Sequence, residues 1–466
     1  MFSSRSLSLT RLLAVLIGLL ALAPSSVQSG EEETVPRYRL KVGQELIYRS
    51  RYEFHFGSGS SAGTHQVKVD WQVWVVRKND DGSWRLVLRN SQVFASARGS
   101  AKPTTERPAN VYMGYCDLFD DGRLGRESEL GYRLKPQTLF PRLPADILTD
   151  DRGWEDFNRR DDTRARFTRV KKEKDAAGLW VFDEVRESPL DAIYLSTFKT
   201  RYFFDTKRGL IARSESENTQ GYGFNGKGTE TLELQGIKEQ DEAWMKRFAE
   251  EAEYYFAANK AYEELTSKVT KRFKDAAALL DEAEKTLKDA RDKLTVPILR
   301  EQADQQIEDH ANTARYRKEE AQRLAEVVGK PAPDWEVKDL DGKDHALKDY
   351  RGKVVILDFW YRGCGWCIRA MPQVAQMAED FKNEPVVVFG MNTDREEKNA
   401  RFVVDKMKIR YPVLKAEGLP KKYKVSGFPT LIIIDPKGNV HDVHVGYSPT
   451  LRQEVSASVR QLLAKK

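Results

Sequence analysis

Val354-Val355-Ile356-Leu357-Asp358-Phe359-Trp360-Tyr361-Arg362-Gly363-Cys364-Gly365-Trp366-Cys367-Ile368-Arg369-Ala370-Met371-Pro372 decides how the last third of this chain is read. The apolar run Val354–Trp360 predicts a buried strand, and the segment from Cys367 onward can begin as a helix. Two thiols separated by two residues, at a strand-to-helix junction, form a redox motif. The first sulfur then sits at the helix N-terminus, where unpaired N–H groups and the helix dipole favour a thiolate. Cys364 is therefore the candidate nucleophile, expected to be partly exposed, with Arg362 two residues upstream as a further acidifying charge. Each unit by which a thiol pKa falls is worth about 1.4 kcal/mol, or roughly 30 mV of potential. Cys367 is the candidate resolving thiol, one helical turn deeper. A purely structural disulfide would close too small a loop to constrain the unfolded chain much. A metal pair would need further ligands at matching spacing, and the sequence offers none.

Outward from this motif, strands and helices alternate. Val386–Phe389 reads as a strand and about Asp394–Met407 as a helix. Leu431–Ile434 and Val440–Val445 make a hairpin through Pro436-Lys437-Gly438-Asn439, and Thr450–Leu463 closes as a helix. This is an α/β layer architecture. Upstream, Gly329-Lys330-Pro331-Ala332-Pro333 marks a boundary.

Residues 329–466 resemble the thioredoxin fold, and most of all the TlpA/ResA-type thiol–disulfide oxidoreductases and related redoxin domains. The residues that carry the resemblance are Gly329-Lys330-Pro331-Ala332-Pro333-Asp334-Trp335, then Asp339-Leu340-Asp341-Gly342-Lys343, Leu347 and Tyr350-Arg351-Gly352-Lys353. Phe359-Trp360 ahead of the cysteines and Gly427-Phe428-Pro429-Thr430 complete it. The resemblance implies that Asp358 is a buried acid accepting the proton of Cys367. Burial would raise its pKa into a useful range. It implies that Pro429 follows a cis bond and sets a loop opposite Cys364, where an extended substrate can pair with backbone. Phe428 and Thr430 of that loop, and Trp366, are the expected substrate contacts. Three positions depart from the family: Gly363 where a Trp is usual, Trp366 where Pro is common, and Ala370 where some ResA-like proteins carry an acid. The last throws the proton role onto Asp358. A peroxiredoxin would need Thr or Ser where Tyr361 stands. No cofactor is required; the partners implied are protein thiols and disulfides and an external reductant.

The remainder of the chain is longer and chemically quieter. With 466 residues, several domains are expected. Lys and Arg exceed Asp and Glu by 6, and the first thirty residues, with Arg5, Arg11 and no acid, account for two of those charges. So mild a balance predicts no nucleic-acid partner. Residues 1–29 read as an export signal, because Leu12–Ala23 is shorter than the ~20 residues of an ordinary span. An uncleaved anchor is the alternative reading of the same run. No other candidate span follows, so the expected location is the periplasm or cell envelope. Cys116 is the one cysteine outside the pair and reads as a small buried thiol.

Residues 30–240 read as β-rich. Val67–Val75 alternates and returns through Asn79-Asp80-Asp81-Gly82 to Trp84–Leu88. Tyr202–Asp205 and Leu210–Arg213 form a second hairpin through Lys207-Arg208-Gly209, weakly echoed by Phe119–Glu129. Recurring turn chemistry and an internal repeat would both give that echo. Residues 241–328 are rich in Ala, Glu, Lys and Arg. Leu265, Val269, Phe273, Ala276, Leu280, Ala283, Leu287, Ala290 and Leu294 recur at steps of three and four, an amphipathic, coiled-coil-like helix. Pro297 interrupts it before a second helix from about Ile298 to Val328. The fold class expected is multidomain α+β, with an antiparallel β-rich domain, a helical hairpin spacer and an α/β thioredoxin-like domain. Two functions compete. One is an exported thiol–disulfide oxidoreductase; the other is an envelope binding module in which the redox domain is a sensor or scaffold. Oligomeric state is not legible in the sequence.

Overall fold

The computed structural model describes residues 35–464, apart from 58–61, 99–109, 131–133, 147–152, 159–162, 171–177, 188–192, 194–195, 221–225 and 270–272. The export signal expected at residues 1–29 lies outside the described residues.

The alternating segments of the first half become one antiparallel sheet of eleven strands: β1 (Gln44–Phe56), β2 (Gly63–Lys78), β3 (Trp84–Arg98), β4 (Asn110–Leu118), β5 (Leu124–Glu129), β6 (Trp154–Asn158), β7 (Thr163–Arg169), β8 (Trp180–Glu187), β9 (Thr197–Asp205), β10 (Leu210–Gln220) and β11 (Gly226–Glu239). Their order is β5-β4-β3-β2-β1-β11-β10-β9-β8-β7-β6. The chain thus runs out along one wing and back along the other, with its first and last strands paired at the centre. The sheet is strongly curled. The N–H of Tyr38 donates to Asp120 in the β4–β5 turn, and that of Arg39 donates to Gly209 in the β9–β10 turn. Adjacent residues therefore reach turns that six strand spacings of about 4.8 Å would hold far apart in a flat sheet. Register shifts at Ile47/Tyr48, Val75/Arg77 and Ile211/Arg213 add local twist. The concave face is filled by Tyr38, Leu86, Phe140, Phe182 and Phe204. Cys116 is buried in this core, and burial pushes its thiol pKa up, which leaves it inert. The turns of the β2–β3 and β4–β5 hairpins share their chemistry. Asp81 and Asp121 accept the N–H of Ser83 and Arg123, each at 2.9 Å, beside Gly82 and Gly122 at φ +84°.

The helical region differs from the expected hairpin. It holds three helices, α1 (Glu242–Lys268), α2 (Ala276–Lys293) and α3 (Pro297–Val327). The seam read as one helix from Leu265 to Leu294 is broken between Lys268 and Ala276. Val269, Ala276, Leu280, Ala283, Leu287, Ala290 and Leu294 are all buried, so the apolar rhythm survives while the backbone turns. Pro297 opens α3, where its missing N–H costs nothing. Glu251 meets Thr295, Arg291 meets Asp304, and Tyr255 meets Gln306, which makes the three helices run up, down and up. Nor are they only a spacer. Met245, Phe248 and Ala252 of α1 pack on Trp74 of β2 and Val87 of β3.

The last third contains β12 (Glu336–Lys338), β13 (Asp344–Ala346), β14 (Val354–Trp360), α4 (Gly365–Asp380), β15 (Val386–Asn392), α5 (Glu397–Met407), β16 (Val413–Lys415), α6 (Leu419–Lys422), β17 (Thr430–Ile434), β18 (Val440–Val445) and α7 (Leu451–Ala464). Five of these strands form a sheet in the order β16-β15-β14-β17-β18. β14, β15 and β16 are parallel, and β17 and β18 are antiparallel additions. Separate apolar clusters cover the two faces. The Gly329–Pro333 boundary is stitched to the β17–β18 hairpin by backbone bonds from Gly329 to Val440 and from Ala332 to Gly438. Among the described residues, no helix is long and apolar enough to cross a membrane.

Phe248 is fully buried, with ring centroids 4.9 Å from Trp74 and 5.0 Å from Trp244. Phe248→Ala should cost about 3–5 kcal/mol where α1 meets the sheet. The midpoint of the first urea transition, followed by tryptophan fluorescence, should fall accordingly; an unchanged midpoint would mean that α1 does not depend on this contact.

Candidate active site

All seven residues of β14 are buried, and successive side chains go to opposite faces. Val355, Leu357 and Phe359 enter one core; Val354, Ile356 and Trp360 enter the other. Asp358 lies between Ile356 and Trp360 and shares their face, which is the face covered by α4. After Trp360 the chain is pinned before it turns. The N–H of Thr393 donates to Trp360 at 3.0 Å, and that of Arg362 donates to Asp394 at 2.9 Å. Cys364 then caps α4. Its Sγ accepts the N–H of Cys367 at 3.1 Å, and its carbonyl accepts from Ile368. Cys364 and Cys367 are joined by a disulfide.

Cys364 is 6% exposed, less than the sequence suggested, while Cys367 is sealed at 1%. Both belong to an apolar cluster that also holds Phe428, Tyr447 and Ile193. Ile193 comes from between β8 and β9 and is fully buried there, so the curled sheet domain touches the redox domain in the cluster that contains the cysteines. The Arg362 guanidinium lies 3.8 Å over the Phe402 ring and donates to Asn399, both on α5.

Asp358 is 1% exposed, and burial alone pushes its carboxyl up to about 7. The Phe428–Pro429 bond is cis, and the Pro429 carbonyl accepts the N–H of Gly446 at 2.8 Å. Thr430 is buried; its hydroxyl donates to Gly427 at 2.7 Å and its backbone pairs with both Phe359 and Val445. This residue shapes the loop and is not placed to meet a partner, contrary to expectation. Phe428 is half-buried against Tyr361, at 5.2 Å and edge-on. Trp366 is 42% exposed and stacks on Tyr447 at 5.5 Å, with the Arg369 guanidinium 5.0 Å from its ring. Tyr361 and Tyr447 extend the aromatic rim beyond the residues the sequence singled out. Tyr361 drew notice only as a peroxiredoxin mismatch, and Tyr447 lies in a loop whose approach to Trp366 no local pattern announces. No group of three or more His, Cys, Asp or Glu that could hold a metal occurs among the described residues. His444 Nε2 lies 3.2 Å from the Asp442 carboxylate.

The profile of the AhpC/TSA family matches residues 328–443. Thioredoxin-like protein YneN of Bacillus subtilis is 35% identical over 121 residues, which are 25% of this chain and 71% of that protein. The thiol-disulfide oxidoreductase ResA of Geobacillus thermodenitrificans is 30% identical over 127 residues, 27% of this chain and 73% of its own length. The chain belongs to the thioredoxin-like thiol–disulfide oxidoreductases. A solved thiol:disulfide interchange protein of the thioredoxin family from Chlorobium tepidum aligns at 25% identity and a TM-score of 0.27, covering 29% of this chain and 96% of that one. In this oxidoreductase the family match falls on the last third, which contains the disulfide, the buried acid and the cis-proline loop.

The position of Asp358 carries a stability signature. Its carboxyl holds a proton in the folded state up to about pH 7, whereas an unfolded Asp releases it near 3.9. Its contribution is therefore complete below about pH 4 and is lost as the pH rises to 7, a change of ~4 kcal/mol. The stability difference between Asp358→Asn and wild type should move by that amount in favour of the variant between pH 4 and 8, measured by urea unfolding. A difference that stays flat across this range would show that the acid is not held protonated.

Proposed function

We propose that this oxidoreductase exchanges disulfides with protein substrates through Cys364 and Cys367, outside the cytoplasm. The observation that carries the reading is the placement of the Cys364 sulfur, which caps α4 and accepts the Cys367 N–H. A thiolate formed there keeps that donor and the positive end of the helix, so its pKa falls. In the reduced enzyme, Cys364 attacks a substrate disulfide and forms a mixed disulfide, releasing one substrate thiolate. Asp358 takes the proton of Cys367, whose thiolate attacks the Cys364 sulfur and expels the second substrate thiolate. The substrate leaves with two more electrons and the enzyme keeps the disulfide. An external dithiol restores the pair, and the same steps reversed would oxidise a substrate. Trp366, Phe428, Tyr361 and Tyr447 offer an apolar rim, and the loop ending at cis-Pro429 offers backbone to an extended chain. Export rests on the run Leu12–Ala23 behind Arg5 and Arg11.

One observation favours a second reading, in which the β-rich domain binds a ligand and the redox pair reports to it. Ile193 of that domain is buried in the cluster that holds the cysteines. Ligand affinity would then differ between the reduced and oxidised chain, and equal affinities would remove this reading.

The full chain with excess dithiol should reduce a model protein disulfide, and Cys364→Ser should bring the rate down to the uncatalysed one. Cys367→Ser should accumulate a mixed disulfide through Cys364 that is visible on non-reducing gels and vanishes with dithiol. Wild-type turnover equal to that of Cys364→Ser would defeat the proposal. Trp366→Ala should raise KM for a protein disulfide several-fold and leave the rate with a small aromatic disulfide nearly unchanged; equal effects on both substrates would exclude a docking role for this ring.

A further inference from the structure

Three residues around the redox strand leave a buried polar atom without a protein partner: Asp358 through Oδ1, Trp360 through Nε1, and Tyr411 through its hydroxyl. They converge on one place. Asp358 and Trp360 are two apart on β14 and share a face. Asp358 pairs with Gly390 across the β14–β15 register. A Cβ added to Gly390 would lie 3.0 Å from Trp360 Nε1 and 3.2 Å from Tyr411 Cε2. Tyr411 is held there by its neighbour, because the Pro412 carbonyl accepts the N–H of Gly390 at 2.9 Å. Its phenol is also held well above the ordinary range, by burial first and then by the charge of Asp358. Leaving such atoms unpaired costs free energy, and an internal water with two to four polar partners removes that cost. Two donors and a carboxylate oxygen gathered around one glycine supply those partners.

We propose that Tyr411 is a positioning residue for the resolving step, holding with Trp360 a single water over Gly390 that hydrogen-bonds the free oxygen of Asp358. The inference rests on the reading of Asp358 as proton acceptor. The indole donates to the water, the tyrosine hydroxyl completes its partners, and the water donates to the carboxylate. Donation to the ionised form opposes the effect of burial. The pocket thereby sets the pH at which Asp358 can take the Cys367 proton. The other titratable groups in the apolar cluster on this face are Tyr411 itself, Tyr447 and the two thiols of the α4 turn. β15 brings Gly390 opposite Asp358 and β17 brings Leu431, neither of which ionises.

The test is the pH profile, from pH 5 to 9, of mixed-disulfide release by the full chain in wild type, Tyr411→Phe, Trp360→Phe and Asp358→Asn. Tyr411→Phe should move the acidic limb upward by about one pH unit, roughly a tenfold loss below the limb. The rate should recover at pH 9 and KM should stay unchanged. Trp360→Phe should move the limb the same way and carries the test if Tyr411→Phe does not fold. Asp358→Asn should abolish the limb. A limb lost in Asp358→Asn but unmoved in the two ring variants overturns the water pocket alone. A limb that survives Asp358→Asn overturns both the pocket and the role of Asp358.

Discussion

Burial of Val354–Trp360 on both faces is the constraint on which the redox domain depends. It puts the strand at the centre of a five-stranded sheet and delivers the turn Tyr361–Gly363 to one edge of the fold. There α4 can start with a sulfur as its cap. The same burial gives Asp358 its chemistry. A carboxyl on a solvated strand would ionise near pH 4; in this one burial removes the bulk solvent that would stabilise the charge, and the proton stays until about pH 7. A stabilising core and a proton acceptor suited to neutral pH are thus one arrangement, and the acid is a local loss of stability kept within a strongly apolar strand.

The first two thirds solve a different problem. An eleven-stranded sheet left flat would expose two long edges and an apolar face. Here the sheet curls until its two wings share a core under Tyr38 and Phe140, and α1 covers part of the outer surface through Phe248. The helices then lead into the redox domain, where Glu320 and Glu326 of α3 bond Ser426 and Lys424 ahead of the cis-proline loop. With Ile193 buried in the cluster that holds the cysteines, the sheet domain and the redox domain are joined by contact as well as by linkage.

Much of this was legible, because short-range patterns report short-range structure. The strand at Val354–Trp360, the sulfur at the start of the following helix, and the hairpins closed by Gly82 and Gly209 follow from apolar runs and turn residues alone. What stayed hidden depends on contacts distant in sequence. β1 meets β11 nearly two hundred residues away, and no local signal tells a curled sheet from a flat one. The break between Lys268 and Ala276 was invisible because seam residues on both sides of it remain buried. Thr430 looked available because its loop is functional, yet its hydroxyl is spent on Gly427. Tyr411 carried no motif; only the register between β14 and β15 brings it to Asp358.

The central claim is that the outer sulfur is a stabilised nucleophile and the inner one is shielded. Alkylation of the reduced full chain across pH 4 to 9, read by peptide mass spectrometry, addresses it directly. The bridge should open reversibly in mild dithiol, and label should enter Cys364 first, with a midpoint well below the ~8.5 of an ordinary thiol. A bridge that stays closed under those conditions, or label entering Cys367 first, would contradict the account.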